Sequence, residues 1–191
     1  MICSKAVIIG SVKYGDNSSI ITLFTREAGM VSFMCRRKLH LLPMSIVEVC
    51  FENRHNKHIQ YFKDIKLITP FTGLAEHPYK MTIVMFLAEV LRYALREEKE
   101  SADVFDYIEK EMSWLDVAEN EFSSFHITFL TNILKFLGYN PEFDTSITKE
   151  PRLMNHNERN HHTEILMDYY RQHLPSFPAI KSLEVLKGIF S

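Results

Sequence analysis

Lys13, Arg26, Arg36, Arg37, Lys38, Arg54 and Lys57 punctuate the first third of the chain, and Tyr14 and Tyr61 lie among them. Ammonium and guanidinium groups bind phosphate by displacing its condensed counterions, and exposed tyrosine rings offer faces on which bases stack. The run Arg36-Arg37-Lys38 is the most pointed feature, because three adjacent cations repel one another until an anion or solvent compensates them. Each of the seven also reads as a solvated surface charge, and that plain reading competes most strongly for Arg54 and Lys57. Phe33 alternates with polar Ser32 and reads as core rather than as a further stacking ring.

Little else in the chain offers chemistry. His156, His161 and His162 could bring imidazole donors to zinc, but their spacing fits one helix face poorly and their neighbours Asn155, Asn157, Glu158 and Asn160 read as a solvated helix start. No glycine-rich phosphate loop, H-E-x-x-H, G-x-S-x-G or aspartate cluster occurs, so bond-making chemistry, a metal and a cofactor are not expected. Cys3, Cys35 and Cys50 are odd in number and lack a C-x-x-C spacing, which argues against a disulfide framework and against a four-cysteine zinc site. All three are expected as small buried thiols in a reducing compartment.

The elements that must position the cations begin at Lys5. Three β-prone runs up to Lys38 are separated by Gly15-Asp16-Asn17 and Glu27-Ala28-Gly29, where Gly and Asn tolerate positive φ. A flat meander of this size leaves a face and an edge open, so a small closed barrel is expected. Ser45 to Glu52 alternates, with Val47, Val49 and Phe51 on one face. Arg54 to Lys57 reads as the turn into a fifth strand, His58 to Ile68, with Ile59, Tyr61, Ile65 and Leu67 sharing a face. Five short antiparallel strands fit an OB-fold slightly better than an SH3-like barrel.

At Thr69-Pro70-Phe71-Thr72-Gly73 the period changes from two to about 3.6. The spacing predicts a central helix over Tyr79 to Glu98 with a thin polar stripe through Thr82, Glu89, Arg92 and Arg96, and a second helix capped by Ser101. A third carries Phe122, Phe125, Phe129, Ile133 and Phe136 and stops at Gly138 and Pro141; a fourth spans Asn157 to Leu174, and a short last one Ser182 to Phe190. The expected architecture is therefore an α+β chain of two domains, 1–72 a five-stranded barrel and 73–191 α-helical.

Charge separates the same two regions. Residues 1–72 hold ten Lys/Arg against five Asp/Glu, and residues 73–191 hold twelve against nineteen. A basic region attracts polyanions and an acidic one repels them, so nucleic acid is expected on the first. Met81 to Leu95 is too short and too polar for a membrane span, and the N-terminus lacks a signal-peptide pattern, which places the expected location in the cytoplasm.

Several stretches in order resemble the RecO family of bacterial recombination mediators. Lys5 and its hydrophobic strand, Lys13-Tyr14-Gly15-Asp16, Ile20 to Thr25, Arg26-Glu27-Ala28-Gly29, Leu41 to Glu48 (LLPMSIVE) and Phe129 to Phe143 (FLTNILKFLGYNPEF) follow the family's order and spacing. Two connections are short against it, Arg36-Arg37-Lys38-Leu39 and Asp144 to Thr148, and the zinc module of some relatives is missing. The resemblance implies an OB-fold that binds single-stranded and duplex DNA, annealing of complementary strands, and association with the nucleoid. It also implies that the helical region partners RecR and docks the acidic, Phe-terminated tail of single-stranded DNA-binding protein, helping RecA load. Such a dock needs an apolar pocket with cations for the terminal carboxylate. Arg92, Arg96, Lys135 and Arg171 project from the apolar helices and are its candidates. The rival expectation is an OB-fold scaffold that acts only through protein contacts.

Overall fold

β1 (Ile2–Tyr14) is the long strand on which the rest of the sheet is hung, and its two halves have different partners. Residues 2–7 pair antiparallel with β4 (Ile46–Phe51), and residues 6–14 with β2 (Ser18–Thr25), which in turn pairs with β3 (Gly29–Cys35). The computed structural model describes residues 1–36, 41–52, 57–98, 102–141 and 154–189. Arg37, Lys38, Arg54, Ser101 and residues 142–153 lie outside these, and so do both short connections, Arg36 excepted.

The expected fifth strand is two. β5 (Ile59–Gln60) runs parallel to β3, Tyr61 interrupts, and β6 (Phe62–Thr69) pairs antiparallel with β4. The hydrogen-bonded order β5-β3-β2-β1-β4-β6 is open, yet its two ends are consecutive in the chain, so the sheet coils until one residue joins its edges. This is an OB-fold arrangement closed by covalent continuity rather than by a complete ring of hydrogen bonds. The interruption also breaks the expected common face: Phe62 and Ile65 turn toward the core, while Tyr61 and Leu67 are exposed.

The sheet has a buried face on each side. Ala6, Ile8, Ile21, Leu23, Phe33, Cys35, Val47, Val49 and Phe51 form the inner core, with Phe33 edge-on to Phe51 at 5.0 Å. Val7, Ile9, Phe24, Met44 and Ile46 point outward and join the core of the helical region. Both sides of the Ala6 to Ile9 stretch are thereby covered, which explains why it reads as a continuous apolar run rather than an alternation. The buried cluster is continuous from strands to helices.

Helices follow at α1 (Thr72–Glu76), α2 (Pro78–Ala94), α3 (Ala102–Val117), α4 (Phe125–Phe136), α5 (His156–His173) and α6 (Ser182–Ile189). α1 falls in the stretch read above as a simple boundary. α2 begins with Pro78 at its first turn, where a missing N–H costs nothing, and buries Ile83, Val84, Phe86, Leu87, Val90 and Leu91. Glu89 does not belong to a solvated stripe: its carboxylate accepts from the backbone N–H of Lys181 and Ser182 and from Ser182 Oγ, capping α6. These bonds hold its pKa below the usual carboxylate range against the opposing cost of burial.

The cysteine expectation needs correcting. Cys35 is buried, but Cys3 and Cys50 are direct register partners across β1 and β4 and are joined by a disulfide on the outer face of the sheet. Sequence spacing could not show it, because residues 47 apart become neighbours only once the strands pair.

Candidate nucleic-acid interface

A β-bulge builds the site. The β1–β2 register shifts between Ile8 and Gly10, and the extra residue reverses which alternate side chains face inward. Before the bulge, Ala6 and Ile8 face the inner core; after it, Ser11 pairs with buried Ile21, so Val12 and Tyr14 turn outward. The hairpin that follows extends beyond the packed part of the sheet, and residues 11–17 are all exposed. Gly15 turns it with φ 69°.

Across this three-stranded arm run polar and apolar rows. Gly10, Thr22 and Ser32 form one row, with Thr22 Oγ1 3.4 Å from Ser32 Oγ. Val12, Ile20 and Met34 form the next, and Tyr14 stands opposite Ser18 at the tip. Tyr14 is 57% exposed and Val12 48%. Lys13 lies opposite Ser19, which lies opposite Cys35, so exposed Arg36 begins one residue past the last paired position. The fold thus brings Lys13, Tyr14 and Arg36 to one end of the arm; Arg37 and Lys38 lie outside the described residues.

The other sequence candidates are placed differently. Arg26 turns toward the helices: its Nε and Nη2 donate to Asp106 Oδ1 and Oδ2 of α3, each at 2.8 Å. Its neighbour in function is Lys5, not singled out from the sequence, whose Nζ donates to Glu109 Oε1 at 2.9 Å. Lys13, Arg36 and Lys57 form no ion pair among the described residues. Lys57 and Tyr61 line a small cavity of about 190 Å³ with Glu52, Gln60, Phe62 and Lys63, and Tyr61 is 52% exposed. Lys63 is occupied by Glu52 at 2.6 Å.

In the helical region, Arg92, Arg96, Lys135 and Arg171 are all exposed near the C-terminal ends of α2, α4 and α5. Rings tie those ends together: Phe177 lies 6.2 Å from Tyr93 and 5.3 Å from Tyr170, and Tyr139 lies 5.8 Å from His173. Tyr139 Oη donates to the carbonyl of His173 at 3.1 Å. Cations suit helix C-termini, whose unpaired carbonyls carry partial negative charge. Arg171 is bonded to Asp168, and Lys135 Nζ donates to Asn132 Oδ1 at 3.3 Å.

The histidines do not converge. His156 Nε2 is 3.1 Å from Asn160 Nδ2, and the rings of His161 and His162 are 6.0 Å apart. Among the described residues no cluster of three His, Cys, Asp or Glu side chains could hold a metal ion, and no helix is long and apolar enough to cross a membrane.

Two family models match the chain: Recombination protein O N terminal over residues 1–71, and Recombination protein O C terminal over residues 75–153. The DNA repair protein RecO of Phocaeicola vulgatus is 32% identical, the match covering 97% of this chain and 97% of the relative. That of Bacteroides fragilis is 30% identical over 96% of this chain and 97% of its own length, and that of Flavobacterium johnsoniae 30% over 98% of each.

Proposed function

Because the chain belongs to the RecO family of DNA repair proteins, we propose that it is a recombination mediator whose β1–β2–β3 arm grips single-stranded DNA. The observation that carries this reading is the meeting of Lys13 and Arg36, two cations with no ion pair among the described residues, with exposed Tyr14 at one end of the arm. Exposed cations displace phosphate counterions, and the Val12, Ile20, Met34 and Tyr14 side of the arm gives bases an apolar surface to stack on. Lys57 and Tyr61 supply a second contact point, and Arg26 is held back by Asp106; Arg37, Lys38 and Arg54 are further phosphate-contact candidates by residue type alone. Contacts to phosphate rather than to base edges serve duplex as well as single strands and favour annealing of complementary strands. No bond is made or broken: the protein organises an assembly.

The converging helix ends are the proposed dock for protein partners. Arg92, Arg96, Lys135 and Arg171 around an aromatic cluster suit an acidic peptide ending in a carboxylate, which fits the tail of single-stranded DNA-binding protein. RecR and, through it, RecA loading complete the proposal.

Titration of a fluorescent oligonucleotide with the full chain at several salt concentrations tests the arm. Several phosphate contacts predict a steep fall of affinity with salt, weakened by charge reversal at Arg36 and Arg37. A scaffold that uses its barrel only for protein contacts gives no binding to titrate.

A further inference from the structure

The disulfide stands apart from everything used above. Cys3 and Cys50 face each other in the β1–β4 register with Cα atoms 4.1 Å apart. That separation is close to the narrow, non-hydrogen-bonded pairing of an antiparallel ladder, in which opposing side chains approach most closely. Their face of the sheet is polar there: Lys5 opposes Glu48, Glu48 opposes Lys66, and Asp64 lies opposite Cys50. Cys3 is exposed and Cys50 half-buried, whereas Cys35 is fully buried in the inner core on β3, separated from β1 by β2. Two sulfurs are therefore held together within reach of a small polar reagent, and the third is held away from both.

We propose that Cys3 and Cys50 are a reversible oxidation site, a dithiol in a reducing compartment and a disulfide after exposure to a hydroperoxide. The Cys3 thiolate, the more exposed sulfur, attacks one peroxide oxygen; the O–O bond breaks, leaving a sulfenic acid, and the departing hydroxide takes a proton to become water or, from an alkyl peroxide, an alcohol. The Cys50 thiol then attacks the sulfenyl sulfur, its proton leaves with the hydroxyl as a second water, and the S–S bond closes. Two thiols are oxidised by two electrons and one peroxide is reduced. An external dithiol reverses the bond by exchange, attacking one sulfur and then closing on itself. Closure joins the start of β1 to the end of β4 across 47 residues of sequence, removing freedom from the unfolded chain and so stabilising the barrel in its oxidised state.

The full chain, reduced with dithiothreitol, desalted and treated with hydrogen peroxide, is unfolded, alkylated with a maleimide and weighed. One alkylated cysteine, a mass lower by two hydrogens before labelling, a cross-linked peptide pair holding Cys3 and Cys50, and recovery of all three thiols with dithiothreitol are expected. The oxidised protein should melt several degrees above the reduced one, and this shift should vanish in Cys3→Ser. Three alkylated thiols after peroxide, oxygen retained on a single sulfur, a bond between chains, or a bond to Cys35 would each overturn the proposal.

Discussion

Arg26, on the turn after β2, and Asp106, on α3, are joined by two parallel hydrogen bonds of 2.8 Å across 80 residues of sequence. The fork geometry matches guanidinium to carboxylate and fixes the barrel against the helical region at the boundary between the basic and acidic parts of the chain. Hydrogen bonding and attraction to Asp106 raise the Arg26 pKa further above its ordinary value, and the hydrogen bond from Arg26 lowers that of Asp106 against some desolvation. Both side chains remain solvated, 39% and 50% exposed, so the pair is weakened by salt.

Asp106→Asn should release Arg26 toward DNA. The expected outcome is tighter single-strand binding at low salt and a salt slope steeper by about 0.7, the increment for one more phosphate contact, read by fluorescence anisotropy. The substitution should also cost stability in a pH-dependent way. A carboxylate with a depressed folded pKa stabilises above its unfolded value, about 3.9, and loses that contribution as pH falls through the folded value. The melting difference between wild type and Asp106→Asn should therefore shrink to nothing in strong acid. A difference constant with pH would show that the ion pair is not its source.

Arg36→Glu tests the tip of the arm. With an exposed side chain that has no ion-pair partner among the described residues, folding stability should change by no more than about 0.5 kcal/mol. Single-strand affinity should fall by the same factor for unrelated sequences, with the salt slope shallower by about 0.7. Retained affinity would remove Arg36 from the interface.

Tyr14→Ala separates stacking from charge. Loss of one base-stacking ring should weaken binding by about 1–3 kcal/mol while leaving the salt slope alone, and Tyr14→Phe should keep the wild-type affinity because the ring face is what matters. An equal loss in both variants would point to the hydroxyl instead.

Much of this arrangement is legible in the sequence. Phe33 reads as core from its alternation with Ser32, and it is fully buried against Phe51; local periodicity suffices because burial of a strand residue follows its neighbours. Gly15 and Gly29 marked turns and have positive φ. What the sequence concealed depends on pairing between distant segments. The bulge at Ile9, the Cys3–Cys50 bond, the diversion of Arg26 to Asp106 and the cap that Glu89 places on α6 all join residues with no common local pattern. The break at Tyr61 belongs with them, since it follows from β5 joining β3 while β6 joins β4.

His126 provides the clearest pH test of the helical core. Its side chain is fully buried on α4, edge-on to Phe86 at 5.8 Å, with Nε2 2.8 Å from Thr163 Oγ1 of α5. The Thr163 hydroxyl spends its proton on the carbonyl of Arg159 at 2.8 Å, so Oγ1 can only accept from His126, which places the ring proton on Nε2. Nδ1 is then a bare, buried nitrogen without a hydrogen-bond partner among the described residues. Protonating it puts a charge in an apolar site near Arg159; burial first and that guanidinium second push the pKa down to about 3. In the unfolded chain the same ring titrates near 6.5. Between these values the unfolded state binds a proton that the folded state refuses, so stability is complete above about pH 6.5 and declines with falling pH by up to about 1.4 kcal/mol per unit from this group. His126→Gln keeps a donor for Thr163 and removes the titration. Urea unfolding at about pH 7 and about pH 4 should show wild type losing more stability than His126→Gln over the interval; equal losses would mean that the ring takes up its proton in the folded state, and with it that the α4–α5 contact opens in acid.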